Sequence, residues 1–381
     1  MIYFDNAATT FPKPYEVIRG VADCMKNYCG NPGRGAHPIA LAAAEAVYNA
    51  RSEVASLFGA EKTENVIFTQ NATHALNLAI FGTVKYGDHI VISNLEHNSV
   101  FRPVHELYRR GAASYSIFDA LGDTEQTLEN FRKALRRNTR VAVTTHVSNV
   151  CPKALPIDKI SALCRERGIL HIIDASQSAG IRPLSVRNGA SVICAPGHKG
   201  LYGPQGSGFC LFSDDFDFSR LSSTAFGGNG VNSASASMGN SPPESFEAGT
   251  LAVPSIVGLA KGIQFVKSTG IDKISAHESA LGERIKKKLL EDGRIKVYLP
   301  NEKGSTLLFT VTGEESTSLA SELAKKGVCL RAGMHCSPLA HEALGTGGDA
   351  LRLSFGAFNT VAEADAFVYM LREITRKENI R

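Results

Sequence analysis

No part of the chain is apolar for anything near the ~20 residues a bilayer crossing takes, and the start, MIYFDNAATT, has no basic segment leading into an apolar one. A membrane span and a secretory leader are therefore not expected. Charge of one sign is lacking as well. Forty-one Lys and Arg stand against 37 Asp and Glu, for a formal net charge of +4, too balanced for a nucleic-acid partner. The small basic spots at 136–137 and 286–288 read as solvated helix faces. Eight cysteines are scattered with no CxxC pair and no regular spacing. That argues against a disulfide framework and for reduced thiols in a cytoplasmic protein, most of them buried as small apolar residues. No internal repeat is apparent.

What is present is ordinary globular composition, 43% hydrophobic and 20% charged, over 381 residues, enough for two domains and a large core. From Glu64 onward, short apolar runs alternate with helical patterns. Candidate strands fall at 66–69, 89–93, 114–118, 141–146, 170–174, 192–195 and 209–212. Helical patterns lie between them, among others at 73–86, 128–137 and 157–167. That order predicts an α/β fold with a seven-stranded, mostly parallel sheet covered on both faces. A Ser/Gly/Asn-rich stretch at 222–243 reads as a loop. A domain boundary is placed near Val253-Pro254, giving a large domain over 15–253 and a smaller α/β domain over 254–381. The latter holds helices at about 255–268, 272–291 and 316–326, strands at 296–299, 306–311, 328–331 and 350–354, and a last helix from Thr360.

The stretch 191–210, SVICAPGHKGLYGPQGSGFC, organises the rest. An apolar run breaks at Pro196-Gly197, presents His198-Lys199, and passes through a glycine-rich turn into a second apolar run. A lysine held between two strands is placed for covalent work, because its amine forms Schiff bases once desolvation lowers the ammonium pKa. Pyridoxal phosphate is the commonest cofactor that needs such an amine. Taken alone, Lys199 reads more simply as a solvated loop residue, since most lysines in loops face water.

The partner residues decide between these. A pyridoxal enzyme needs a carboxylate to keep the pyridine nitrogen protonated. Asp174, ending the apolar strand 170–174, is the candidate, and Gln177 follows within reach of the cofactor's phenolic oxygen. A phosphate belongs where backbone N–H groups are free at a helix start. Ala72 and Thr73, opening the helix after strand 66–69, supply such N–H groups and the Thr73 hydroxyl, although a threonine there also reads as a helix cap. Arg352 sits among alternating apolar residues and needs an anion. A bidentate grip on an amino acid α-carboxylate would satisfy it, as would a structural salt bridge. For a nucleophilic sulfur, Cys336 in RAGMHCSP (331–338) is the candidate, being in a polar loop beside His335 and near Arg331. Cys194 and Cys210, flanked by apolar residues, are not. A metal site of His335, Cys336 and His341 lacks a fourth ligand and a familiar spacing.

The motifs HKGLYGPQGSG at 198–208, IDASQ at 173–177, HVSNV at 146–150 and FEAGT at 246–250 resemble the cysteine desulfurases of PLP fold type I, within the class V aminotransferase superfamily. The resemblance runs from DNAATT at 5–10 to DALRLS at 349–354. It implies pyridoxal 5'-phosphate on Lys199, with His97 stacked on the ring as a candidate proton carrier. It implies Asn149 at the phenolic oxygen or the substrate carboxylate, Arg352 at that carboxylate, and phosphate contacts from the 71–76 segment, Gln177 and His198. Thr250 would be donated by a partner subunit, making a homodimer. The N-terminal residues 1–14 would pack beside the small domain.

RAGMHC resembles the short catalytic loop of the SufS-like, group II enzymes. The resemblance thus implies conversion of L-cysteine to L-alanine with a persulfide on Cys336, passed to a SufU- or SufE-like acceptor or a small thiol. Three positions depart from the pattern: Gly197 and Ala72 stand where hydroxyl residues are usual, and Met334 replaces a histidine. Selenocysteine lyase activity on L-selenocysteine, a class V aminotransferase or C–S lyase, and a weakly catalytic sulfur-transfer scaffold are the alternatives.

Overall fold

The computed structural model describes residues 1–33, 35–230 and 234–377. Its main sheet has seven strands, in the spatial order Val66–Thr69, Gly208–Phe212, Val192–Pro196, Leu170–Asp174, Thr139–Thr145, Asp88–Ser93 and Ala113–Phe118. Gly208–Phe212 runs antiparallel to both neighbours, and the remaining pairs are parallel. The inner strands Val192–Pro196 and Gly208–Phe212 are buried along their whole length because both faces are covered, whereas the edge strand Ala113–Phe118 is partly exposed. Alternate residues go to opposite sides: Val66, Phe68, Val91 and Ile193 join the core under the helix Pro38–Leu57. Ile67, Ile90, Ile92 and Val192 join the core formed with Leu76 and Val104. Cys194 and Cys210 lie in this second core, fully buried, as expected of small apolar residues.

Parallel strands deliver their carboxyl ends to one edge of the sheet. The turns after Thr69, Ser93, Thr145, Asp174 and Pro196 all emerge there, and each carries one of the residues singled out above.

A second sheet is antiparallel, in the order Arg331–Ala332, Leu351–Ser354, Thr306–Val311, Ile295–Val297. Its core is closed by Leu281 and Ile285, Leu319 and Leu323, and Phe367 and Leu371, from the helices Ile271–Leu289, Ser316–Lys325 and Val361–Lys377. Ile2–Tyr3 pairs in parallel with Val328–Cys329, and Phe4 is buried in this core, so the first residues pack with the C-terminal ones. The single strand expected at 328–331 is two short strands in different sheets, the chain changing partners at Leu330. The helix Val253–Thr269 buries Val253, Ile256 and Leu259 in the first core. The first helix to join the C-terminal core is Ile271–Leu289, after the left-handed Gly270.

Several helices went unread in the sequence: Tyr15–Asn27, Pro38–Leu57, Asn98–Arg109 and Pro338–Leu344. The helix expected at 128–137 is Thr124–Ala134, because the Asp123 carboxylate accepts the Gln126 N–H and starts it a turn earlier. The described part of 222–243 holds no helix or strand; Val231, Asn232 and Ser233 lie outside the described residues. Among the described residues no helix is long and apolar enough to cross a membrane.

Candidate active site

A cavity of about 210 Å³ opens at the carboxyl edge of the main sheet. It brings together Ala72, Thr73, His97, Asn149, Asp174, Gln177, His198, Lys199 and Arg352. Of the residues expected from sequence, Cys336 and Thr250 lie outside it: both are exposed.

Lys199 is held by its backbone. The His198 carbonyl accepts the Thr10 N–H at 3.0 Å and Lys13 Nζ at 2.9 Å, and the Lys199 carbonyl accepts the Tyr202 N–H at 2.7 Å. The N-terminal DNAATT segment thus clamps the lysine turn. Burial lowers the Lys199 ammonium pKa to about 8, with Asp174 opposing and Arg352 and Arg331 adding to the fall. Asp174, 2% exposed, has one carboxylate oxygen fixed by the Ser176 N–H at 2.9 Å and the Ser176 hydroxyl at 2.5 Å, which leaves the other for the cavity. Glu96, fully buried, accepts the Thr145 N–H at 2.9 Å, and burial pushes its carboxyl up to about 8, with the Asp174 charge adding to the rise.

At the other end of the cavity the helix Ala72–Thr83 begins. Asn71 caps it by accepting the His74 N–H at 2.9 Å, which leaves the first-turn N–H groups of Ala72 and Thr73 for an anion. The Thr73 hydroxyl lies 2.7 Å from that of Ser99, which lies 2.8 Å from His97 Nδ1. Because His97 Nδ1 also accepts the Ser99 N–H at 3.0 Å, the neutral ring carries its hydrogen on Nε2. Burial lowers the His97 pKa to about 4, against the pull of Asp174. Gln177 Nε2 donates to the Ala7 carbonyl at 3.0 Å, and His198 Nδ1 is buried with no partner. Ser99 was missed in the sequence; its one signal is its place in the first turn of a helix that His97 caps.

Arg352 is 1% exposed. Its Nη1 donates to the Asn149 carbonyl at 2.9 Å and its Nη2 to Asp5 at 2.6 Å, while Nε is buried and unpaired. The ion pair weighed in the sequence therefore exists, with the buried Nε–H of the guanidinium left without an acceptor. Asp5, a residue of the quoted DNAATT motif, had been given no role there.

The Asn149 side chain is engaged with the cysteine loop: Nδ2 donates to the His335 carbonyl at 2.8 Å and Oδ1 accepts the Ser337 hydroxyl at 2.7 Å. The Cys336 carbonyl accepts the Asn98 N–H at 2.8 Å, and Arg331 Nη2 lies 3.5 Å from Cys336 Sγ. His335 and Cys336 have φ of 50° and 58°. Each such left-handed non-glycine residue costs on the order of 1–3 kcal/mol, retained only where the surroundings enforce it. A groove lined by Phe81, Arg102 and Glu106 runs beside Cys336. His335 Nδ1 and His341 Nε2 are 3.0 Å apart, within hydrogen-bonding distance. Among the described residues no group of three or more metal-ligating side chains occurs.

The departures have structural counterparts. A Cβ at Gly197 would stand 2.1 Å from Ser207 Oγ, so Ser207 fills the space a larger residue would take. Met334 is 47% exposed and its sulfur lies over Gly348.

A family model described as "Aminotransferase class-V" matches residues 2–367. A protein of Halobacterium salinarum named "Probable cysteine desulfurase" is 30% identical over 98% of this chain and 91% of its own length. Another of that name from Mycolicibacterium paratuberculosis is 32% identical over 98% of this chain, which spans only 55% of that relative. The apo structure of a cysteine desulfurase from Thermococcus onnurineus NA1 superposes with a TM-score of 0.90 at 28% identity, covering 99% of this chain and 95% of the other. The fold is the expected PLP fold type I. With a family model spanning nearly its whole length and a relative matched end to end, this chain belongs to the class-V aminotransferase family, a pyridoxal-phosphate-dependent family, and groups within it with the cysteine desulfurases.

Proposed function

We propose that this protein is a pyridoxal-phosphate-dependent cysteine desulfurase of the SufS-like kind, taking sulfur from L-cysteine onto Cys336 and releasing L-alanine. The observation that carries the reading is the cysteine loop. An exposed cysteine stands on a strained turn whose carbonyls are bonded to Asn98 and to Asn149, the latter lining a cavity that holds a half-buried lysine and a buried aspartate.

The residues present suit the cofactor at both ends. The free N–H groups of Ala72 and Thr73, the Thr73 hydroxyl, Gln177 and the unpaired His198 Nδ1 match a phosphate, so the hydroxyls missing at 72 and 197 are not required for that match. Asp174 matches a protonated ring nitrogen, His97 the ring face, and Lys199 an aldehyde. Bound there, pyridoxal phosphate supplies an electron sink for the pair left when Cα loses its proton.

Arg352 orients the substrate by its α-carboxylate, with Asn149 supporting that end. Lys199 Nζ, neutral in a large fraction near pH 8, takes the Cα proton, with His97 as the second carrier. Cys336 Sγ attacks the substrate sulfur: the new S–S bond forms, the C–S bond breaks, its electron pair stays at Cβ, which takes a proton to become the alanine methyl, and Lys199 returns a proton to Cα. The Cys336 persulfide is then open to a SufU- or SufE-like protein or a small thiol along the adjoining groove. Thr250, exposed and outside the cavity of its own chain, contacts the phosphate of a second subunit, so the working unit is a homodimer.

The test is to supply L-cysteine to the purified protein carrying pyridoxal phosphate and to follow alanine and sulfide with a thiol acceptor present. Equimolar alanine and sulfide without any keto acid is the expected result. Turnover that requires a keto acid, or none at all, contradicts the reading.

A further inference from the structure

We infer that His341, which does not line the cavity, is a positioning residue that holds the Cys336 sulfur in place through His335; the inference rests on the desulfurase reading above. The two imidazoles are buried, stacked with centroids 5.2 Å apart and planes 10° from parallel. They form one chain of hydrogen bonds whose direction is set at its end. His335 Nε2 faces the Arg331 carbonyl at 3.3 Å, and a carbonyl only accepts, so that nitrogen carries the hydrogen and Nδ1 accepts. His341 Nε2, 3.0 Å away, must then donate. His341 Nδ1 in turn accepts the Thr346 hydroxyl at 2.5 Å, and Thr346 Oγ1 is itself fixed by the Gly348 N–H at 3.1 Å. Every donor finds an acceptor with both rings neutral, whereas reversing the bond between the rings sets the His335 Nε2 lone pair against the Arg331 carbonyl oxygen.

The chain ends on the turn that most needs support. His335 and Cys336 are consecutive left-handed residues, a conformation that relaxes unless it is over-determined. Asn149 and Asn98 hold the two carbonyls of that turn. Arg331 Nη2 reaches the sulfur itself and Ser337 bonds Asn149 and the Met334 carbonyl; a further handle is the His335 ring, and both of its nitrogens are taken up by this chain. Without His341 the ring loses its donor, and the sulfur moves relative to the cavity while Lys199, Asp174 and Arg352 stay in place.

The experiment compares the holoenzyme with His341→Leu, His341→Gln and Thr346→Val. Alanine release from L-cysteine requires the sulfur. Exchange of the α-hydrogen of L-alanine in deuterium oxide requires the same proton transfer, by microscopic reversibility, but no sulfur chemistry. A misplacement of about 1 Å costs up to ~100-fold in rate, so His341→Leu is expected to lose kcat for alanine release by at least ~10-fold, with KM for cysteine and α-hydrogen exchange within ~3-fold of wild type. His341→Gln keeps an amide N–H at the place of Nε2 and recovers most of the loss. In the protein without substrate, amide exchange of the 333–337 peptide is faster in His341→Leu than in His341→Gln. Equal losses in alanine release and α-hydrogen exchange, or no loss in either, overturn the inference. If His341→Leu does not fold, Thr346→Val carries the same comparison with the same criteria. A wild-type protein that exchanges alanine but releases none from cysteine overturns the desulfurase reading, and the inference with it.

Discussion

Arg352 and Asp5 meet where the N-terminal segment crosses onto the second sheet: Nη2 donates to the carboxylate at 2.6 Å, and Asp5 bridges to Ser354 in parallel. The guanidinium is thus neutralised on one side and left with an unpaired, buried Nε. Removing one member of a buried pair costs about 3–5 kcal/mol, and Asp5 is itself 21% exposed. Asp5→Ala should accordingly lose about 2–3 kcal/mol in urea denaturation, below the fully buried value because of solvent screening. Asp5→Leu with Arg352→Met should regain much of that stability, yet raise KM for cysteine by at least ~10-fold, since a charge-assisted bond to the carboxylate is gone. An unchanged KM in the double variant contradicts the role of Arg352.

Gly197 and Ser207 compete for one space. With a Cβ only 2.1 Å from Ser207 Oγ and 3.1 Å from Leu259 Cδ1, Gly197→Ser should destabilise the protein by about 1–3 kcal/mol, the usual cost of overpacking. Gly197→Ser with Ser207→Gly should be close to wild type in stability. Thermal melts of the two variants decide, and a stable single variant shows that the turn has room to shift.

Lys199 carries a pH dependence with a definite sign. Burial puts its pKa at about 8 in the folded chain against 10.5 unfolded. Between those values the unfolded state binds more protons, so this group makes the fold more stable as pH rises from about 8 to 10.5. The neutral amine is also the form that captures an aldehyde. The rate of pyridoxal phosphate uptake by the apoprotein should therefore climb through pH 8 and flatten above it. Asp174 opposes the fall, so Asp174→Asn should move the midpoint to lower pH. A midpoint that stays put, or moves upward, contradicts this electrostatic account.

Much of this was legible because the chemistry sits at strand ends. Strands 66–69, 170–174 and 306–311 run in the structure as the sequence pattern predicts, and Asp174 and Lys199 follow from their positions after apolar runs. Asp5, Ser99 and His341 were given no such roles, since each acts through a contact made only when distant segments meet: Asp5 with Arg352, Ser99 with Thr73, His341 with His335. The helix Asn98–Arg109 carries Pro103 inside it and starts from a histidine cap, both weak signals in sequence. The split of 328–331 between two sheets depends on pairing with Ile2–Tyr3, which no local pattern reports.

Thr250 gives a test of assembly. Under the proposed function its hydroxyl would complete the partner's phosphate site in a homodimer, and a hydrogen bond to a charged group contributes about 1.5–3 kcal/mol. Thr250→Ala should weaken retention of pyridoxal phosphate by roughly 10-fold while leaving unphosphorylated pyridoxal unaffected. Light scattering should give a dimer for both proteins. A fully active monomer contradicts the assignment.

The central claim is that Cys336 is the sulfur's first acceptor, and intact-peptide mass spectrometry after a single turnover with L-cysteine tests it most directly. The wild-type peptide carrying Cys336 should gain one sulfur as alanine appears, and Cys336→Ser should gain none and release alanine at least ~100-fold more slowly. Alanine release at the wild-type rate by Cys336→Ser, with no added sulfur on the wild-type peptide, would contradict the account.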